Sequence, residues 1–389
     1  MAIPLKYNLR SLLVRRVSTG LTVLSIALVV AIFVGVMALA NGLETILVST
    51  GEPDNVLVRR RGSDSELSSF VTREGRQALV YLPGVAADPG GEPQASPEIV
   101  VIINLPKVGG GEGENANVTV RGISPMGLTL RPKLHFHQGR MFRPGLRELI
   151  VSESITRRFQ NIGLNERVRF GKDEWTVVGV FDAGKTAFDS EIWADVNQVA
   201  SDFNRDAFSS VLLRATGPAA AQSLIRRIEA DRRFNLTAQL ETDYYQEQTK
   251  AAGPIKGLGM FIALIMGIGA CFAAMNTMYA AVAHRTQEIA AMRVIGYRPG
   301  SVLLSFLAES LILALAGGLL GCLIALPLNG VSTGTANWTT FSEIAFAFRV
   351  TPRLLLAGLA FAALMGLFGG FFPARQAARQ KPAEALRDA

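Results

Sequence analysis

The chain has 389 residues, 49% of them hydrophobic and 18% charged, with a mean hydropathy of +0.29. Soluble domains usually carry about 25% charged residues, so this balance excludes an ordinary soluble protein and points to a membrane protein. The net charge of +7 calls for no nucleic-acid partner, because membrane proteins gather Lys and Arg on one side as they orient. The two cysteines, Cys271 and Cys322, lie in apolar runs, and with three histidines they suggest no metal or redox site.

In chain order, residues 1–20 form a cytoplasmic segment whose "PLKYNLRSLLVRR" is amphipathic enough to lie on anionic lipid. Residues 21–40, "LTVLSIALVVAIFVGVMALA", are the first of four runs that reach the ~20 residues a span requires. A cleaved signal competes for this run, since "ALA" at 38–40 resembles a cleavage site, but a signal core is about 7–15 residues and this run is longer. Either way the next segment is exported.

Residues 41–254 read as an α+β extracytoplasmic domain inserted between the first and second spans. Its strand-like runs are 55–60, 98–105, 117–123, 148–154, 167–170, 174–181 and 209–215, short and rich in Val and Ile. Helical spacing is expected over 65–81 and 218–234, with Pro218 near the second start. The Gly- and Pro-rich stretches 84–97 and 105–117 read as loops. His135 and His137 would share a strand face, yet no acidic or Cys cluster completes a metal site, so a surface pair is expected.

The later spans are 255–283, 302–328 and 354–372, separated by a cytoplasmic coupling loop, 284–301, and a short extracytoplasmic loop, 329–353, and followed by a tail, 373–389. Orientation follows the basic residues near the spans. Lys6, Arg10, Arg15, Arg16, Arg285, Arg293, Arg298, Arg375, Arg379, Lys381 and Arg387 fall on one side, against Lys250, Lys256, Arg349 and Arg353 on the other. The termini and the 284–301 loop are therefore cytoplasmic, and the large domain is outside.

That orientation bears on "GVFDAGKT", residues 179–186, a full match to the phosphate-loop pattern through Gly179, Gly184, Lys185 and Thr186. It lies in the exported domain, where ATP is not normally available. No LSGGQ-like signature or Mg²⁺-holding strand accompanies it, so a strand and its exit turn are expected instead.

In the cytoplasmic loop, Ile289, Met292 and Ile295 recur at helical spacing, Gly296 suits a helix end and Pro299 follows it. Such a helix is either a plain hairpin connection or a docking helix for a cytoplasmic partner. Glu309 is an ionisable group inside the third span, where pairing with an Arg or a coupling role is expected, and Asn276 is a second intramembrane polar candidate. Gly259, Gly267, Gly317, Gly321, Gly358, Gly366 and Gly370 recur at spacing that lets helices pack closely.

The stretch "HRTQEIAAMRVIGYRPGSVLLSFLAESLILALAGGLLG" resembles the cytoplasmic loop and third span of MacB/FtsX-type ABC transporter permeases. Arg285, Glu288, Ile289, Arg293 and Gly296 match R-x-x-E-I-x-x-x-R-x-x-G, and Phe306, Glu309, Gly317, Gly318 and Gly321 match the span. The ending resembles that family's at Pro373, Ala374, Ala377, Pro382, Ala385, Leu386 and Arg387, and "VRGISP", "GRMF" and "WTVVGVF" resemble its periplasmic core domain.

The resemblance implies a non-catalytic permease subunit of a bacterial inner membrane, without a fused ATPase domain, given the short segment before the first span. It implies a cytoplasmic ABC ATPase dimer as partner, with ATP and Mg held there and no cofactor on this chain. Arg285, Glu288, Ile289, Met292, Arg293, Ile295 and Gly296 would form the docking elbow. A second permease copy, identical or related, membrane lipids and a periplasmic adaptor are further expected partners. The output would be mechanical export or extraction of an amphiphile such as a lipid, lipoprotein, peptide or drug. Alternatives are an FtsX-like signalling protein that regulates an external enzyme without transport, and a peptide sensor.

Overall fold

The computed structural model describes residues 16–109, 114–336 and 342–380. The amphipathic segment before Arg16 and the tail positions Lys381, Pro382, Ala385, Leu386 and Arg387 lie outside the described residues.

The helices are α1 (Arg16–Ser49), α2 (Arg73–Val80), α3 (Pro125–Thr129), α4 (Glu153–Arg158), α5 (Val196–Asp202), α6 (Pro218–Ala230), α7 (Glu241–Gln248), α8 (Ala252–His284), α9 (Thr286–Val294), α10 (Pro299–Ala325) and α11 (Pro352–Arg379). The chain forms two compact units. One draws on residues up to Gly42, Gly253–Val331 and the chain from Ala347 onward; the other comprises Leu43–Ala252 and Ser332–Phe346. Among the described residues, four helical stretches, carried by α1, α8, α10 and α11, are long and apolar enough to cross a membrane. The protein is thus a membrane protein with a large domain between its first and second spans.

In the helical unit, small residues let backbones approach at separations that a Cβ would forbid. A Cβ at Gly317 would lie 2.9 Å from the Val23 carbonyl, at Gly321 2.5 Å from that of Ala27, at Gly267 2.9 Å from Phe361 and at Gly358 3.0 Å from Val34. At Gly259, Gly366 and Gly370 it would run into Val36, Ala314 and Ser310. Without a hydrophobic driving force between helices in lipid, such close packing and interhelical hydrogen bonds hold the bundle. Ser310 Oγ donates to the Gly366 carbonyl at 2.6 Å in the same contact.

The outer unit is built on one ten-stranded mixed sheet. Its strands are β1 (Asn55–Arg60), β2 (Ala95–Pro106), β3 (Asn115–Ile123), β4 (His135–Gly139), β5 (Glu148–Ser152), β6 (Arg167–Phe170), β7 (Asp173–Asp182), β8 (Glu191–Asp195), β9 (Ser210–Arg214) and β10 (Leu236–Leu240). They run in the order β10-β1-β9-β2-β3-β8-β5-β7-β4, with β6 on β7. The β3–β8 and β5–β7 pairs are parallel, and the others are antiparallel. On β7 Trp175, Val177 and Phe181 alternate inward, the period-two signature of a strand.

Several expectations need correction. The helix expected over 65–81 begins only at Arg73, where Thr72 Oγ1 accepts from Gly75 N at 3.1 Å as N-cap. In the non-helical residues before it, Glu66 is buried and paired with Arg121. The 218–234 helix ends at Ala230. Three strands, β4, β8 and β10, lie outside the runs expected as strands. The 329–353 loop contains β11 (Ser332–Ala336) and β12 (Glu343–Ala347), most of which belongs to the outer unit. There Glu343 pairs with Arg158 and, at 3.0 Å, with Lys107.

Candidate functional site

Two sites stand out, one in each unit. In the helical unit the elbow is the α8–α9–α10 turn. Arg285 sits at the α8–α9 joint, where its Nη1 donates to Glu309 Oε2 at 2.9 Å and its Nε to Glu288 Oε2 at 3.2 Å. The guanidinium lies 5.2 Å from the centre of the Phe306 ring, a cation–π distance. A carboxylate buried in a span is costly unless paired, and Arg285 supplies that partner.

Helix α9 splits into two faces. Ile289 is fully buried with Met278, Val282, Val302, Phe306, Ala374 and Ala377, and Met292 is half-buried against the same cluster. Ile289 therefore packs α9 onto its own bundle and offers no surface to a partner, contrary to its expected place on the docking face. The outward stripe is Gln287, Glu288, Ala291, Val294 and Ile295, with Ile295 74% exposed. Arg293 is half-buried, and its Nη1 lies 3.5 Å from the Tyr297 carbonyl.

The helix stops at Gly296, whose φ of +104° is a left-handed conformation that favours glycine. Gly296 N donates to Arg293 O at 3.2 Å and Tyr297 N to Met292 O at 3.1 Å, the paired bonds of a Schellman cap. Asn276, on α8, is exposed, whereas its neighbour Thr277 has its hydroxyl 3.0 Å from that of Thr22 on α1.

In the outer unit, four carboxylates surround two guanidiniums. Arg121, on β3, pairs with Glu66 at 2.9 Å, with Glu98 of β2 at 2.8 Å and with Glu191 of β8 at 2.7 Å. Arg131, just after α3, pairs with Glu98 at 2.6 Å and with Glu241, the first residue of α7, at 3.3 Å. Its guanidinium also faces the rings of Phe188 and Trp193 at 4.7 and 5.4 Å. All six charged residues are buried. Burial pushes the Glu66 carboxyl up, but Arg121 outweighs it and holds the group below the usual range. Burial likewise opposes the charge on Arg121 and Arg131, yet their carboxylate partners leave both guanidiniums more firmly protonated than usual.

The sequence signal for this network was a charge inside each strand-like run, Glu98 in "EIVVIINL" and Arg121 in "NVTVRGI", which alternation alone assigns to neither face.

The GVFDAGKT stretch is the end of β7 and its exit turn. A Cβ on Gly179 would collide with the Arg140 carbonyl, so the first glycine of the pattern serves close strand packing. A phosphate loop needs free backbone N–H groups. Here Gly184 N donates to Asp182 Oδ1 and Ala183 N to Asp189 Oδ1, both at 2.7 Å, and Ala187 N donates to Thr50 Oγ1 at 2.8 Å. Two carboxylates therefore occupy amides that would face an anion. Burial, reinforced by Asp182, raises the Asp189 carboxyl to about 6.

The turn instead fastens the end of α1. Ser49 Oγ donates to the Lys185 carbonyl at 3.0 Å, and Lys133 Nζ reaches the Ser49 and Gly51 carbonyls at 3.3 and 3.4 Å. A cation at a helix C-terminus is favourable. His135 and His137 are exposed on the β4 edge, and among the described residues no His, Cys, Asp and Glu cluster could hold a metal ion.

Comparison with known proteins places both units. The model described as MacB-like periplasmic core domain matches residues 19–231, and that described as FtsX-like permease C-terminal matches residues 260–382. Over 98% of its length the chain is 25% identical to the macrolide export ATP-binding/permease protein MacB of Bdellovibrio bacteriovorus, of which it spans 61%. It is also 25% identical, again over 98% of its length, to the uncharacterized ABC transporter permease YknZ of Bacillus subtilis, of which it spans 98%. Among solved structures, the periplasmic region of MacB from Actinobacillus actinomycetemcomitans aligns with 51% of this chain and 92% of its own, at 12% identity and a TM-score of 0.37.

Proposed function

The chain belongs to the ABC transporter permeases of MacB/FtsX type, and from that premise we propose that it passes the work of a cytoplasmic ATPase to its outer unit. The ATPase would be a separate polypeptide that holds ATP and Mg, and its closure would press on α9. Two permease copies would face two ATPase subunits in the inner membrane, with the termini cytoplasmic. The outer unit would then expel or extract an amphiphile, a lipid, lipoprotein, peptide or hydrophobic drug, on the far side.

The observation that carries this reading is the elbow. One face of α9 is welded to the bundle by Ile289 and by the Arg285–Glu309 pair, while Val294 and Ile295 remain outward. A push on the outward face therefore has a rigid route into α8 and α10. The test is ATP hydrolysis by the reconstituted permease and ATPase, with candidate amphiphiles added. Stimulation by an amphiphile supports transport. A second reading is regulation of an external enzyme without transport, since the FtsX-like permease match over residues 260–382 fits either output. It predicts no stimulation by any amphiphile and activation of a cell-wall hydrolase instead.

A further inference from the structure

The first spanning helix leaves the bundle as α1, and the second is approached through α7 and the short turn Thr249–Ala251. These two lead segments meet within the outer unit. Gly51, two residues past α1, has φ +90°, and a Cβ there would lie 3.0 Å from both the Glu241 carbonyl carbon and the Thr242 nitrogen. The backbones therefore touch at a point where only glycine fits both the space and the conformation.

Glu241 closes the junction. Its Oε2 accepts from the backbone N–H of Glu52 at 3.1 Å and from Asn55 Nδ2 at 2.7 Å, while its Oε1 faces Arg131 Nη2 at 3.3 Å. One buried carboxylate thus holds the segment leaving the first span, the start of the segment entering the second, and the guanidinium that leads through Glu98 to β2. We propose that Glu241 and Gly51 form a yoke that locks the two lead segments together beside the β1–β10 pairing, so that they move as one body with the sheet.

Charge placement singles out Glu241 within the network. Arg131 keeps its two short bonds to Glu98, at 2.6 and 3.0 Å, when Glu241 is removed. Glu66, Glu98 and Glu191 remain on Arg121. Loss of the Glu241 carboxylate therefore strands no buried cation, and its effect falls on the junction. In the proposed transport function the yoke would deliver a push from either span to the sheet jointly, and only that consequence rests on the function reading.

The test is a spin-label distance measurement on the full chain in nanodiscs, with Cys271 and Cys322 replaced by alanine. Labels at Val48→Cys and Gln246→Cys, both exposed and on α1 and α7, report on the two lead segments. The yoke predicts one narrow distance distribution. Its width at least doubles in Glu241→Ala and in Gly51→Val, with Gly51→Ala as a milder variant. Glu241→Gln, which keeps an acceptor oxygen for Glu52 and Asn55, and Asp243→Ala, on the exposed face of α7, stay narrow. A width unchanged from the parent in both Glu241→Ala and the Gly51 variants overturns the yoke. The measurement needs neither ATPase nor amphiphile, so it stands or falls apart from the transport reading.

Discussion

The two units use buried charge in opposite ways. The helical unit commits one guanidinium, Arg285, to one span carboxylate, Glu309, at the joint of three helices. The outer unit shares Arg121 and Arg131 among four carboxylates from separate parts of the fold. Arg285 also reaches Glu288, so this small cluster ties the third span to the joint. A shared network spreads such ties over a sheet.

Breaking the network should have the largest effect. Arg121→Ala leaves Glu66 and Glu191 without their main cation, and removing one partner of a buried pair costs about 3–5 kcal/mol. Denaturant unfolding followed by the fluorescence of buried Trp175 and Trp193 should show a loss of that size, and a loss under about 1 kcal/mol, the worth of an exposed pair, would mean the network is not a structural centre. At the elbow, Arg285→Ala should destabilise the bundle, and adding Glu309→Gln should recover part of the loss, because the charge that Arg285 balances is gone. A double-mutant coupling of about 0.5–3 kcal/mol is expected for groups in contact, and strict additivity would deny the pairing.

A smaller effect follows from Asp189. Its folded value of about 6 lies above the ordinary ~3.9, so the folded turn binds the proton more tightly than the unfolded chain. This contribution is fully present below about pH 4 and is lost as the pH rises through about 6. Asp189→Asn should flatten that slope in urea midpoints measured from pH 4 to 7, and an unchanged slope would assign it elsewhere. The smallest effect belongs to Lys185→Ala. The Lys185 carbonyl, not its ammonium group, holds Ser49, so stability should shift by under about 0.5 kcal/mol and ATP hydrolysis by the complex should persist.

Most of the architecture was legible in the sequence because it rests on composition and period. The spans announce themselves by length, and "WTVVGVF" by alternation. Glu309 and the glycine spacing were legible because a charge or a gap in an apolar helix has few explanations, whereas Arg285, expected on the docking elbow, is buried as the partner of Glu309. The charge network was not, since Glu66, Arg121 and Glu241 lie far apart in the chain and meet only through sheet order. Ile289 shows the limit of helical spacing: it marks an apolar face without saying whether that face meets its own bundle or a partner. The GVFDAGKT pattern fits its motif letter by letter, yet its amides are filled by Asp182 and Asp189, whose position no spacing rule encodes.

The central claim is that the outward face of α9 receives the ATPase. The direct measurement is co-purification and amphiphile-stimulated ATP hydrolysis for Val294→Asp/Ile295→Asp, in the full permease with its ATPase in nanodiscs. Both side chains are exposed, so the bundle should stay folded while ATPase association and stimulation fall at least tenfold. Association and stimulation equal to those of the parent would contradict the account.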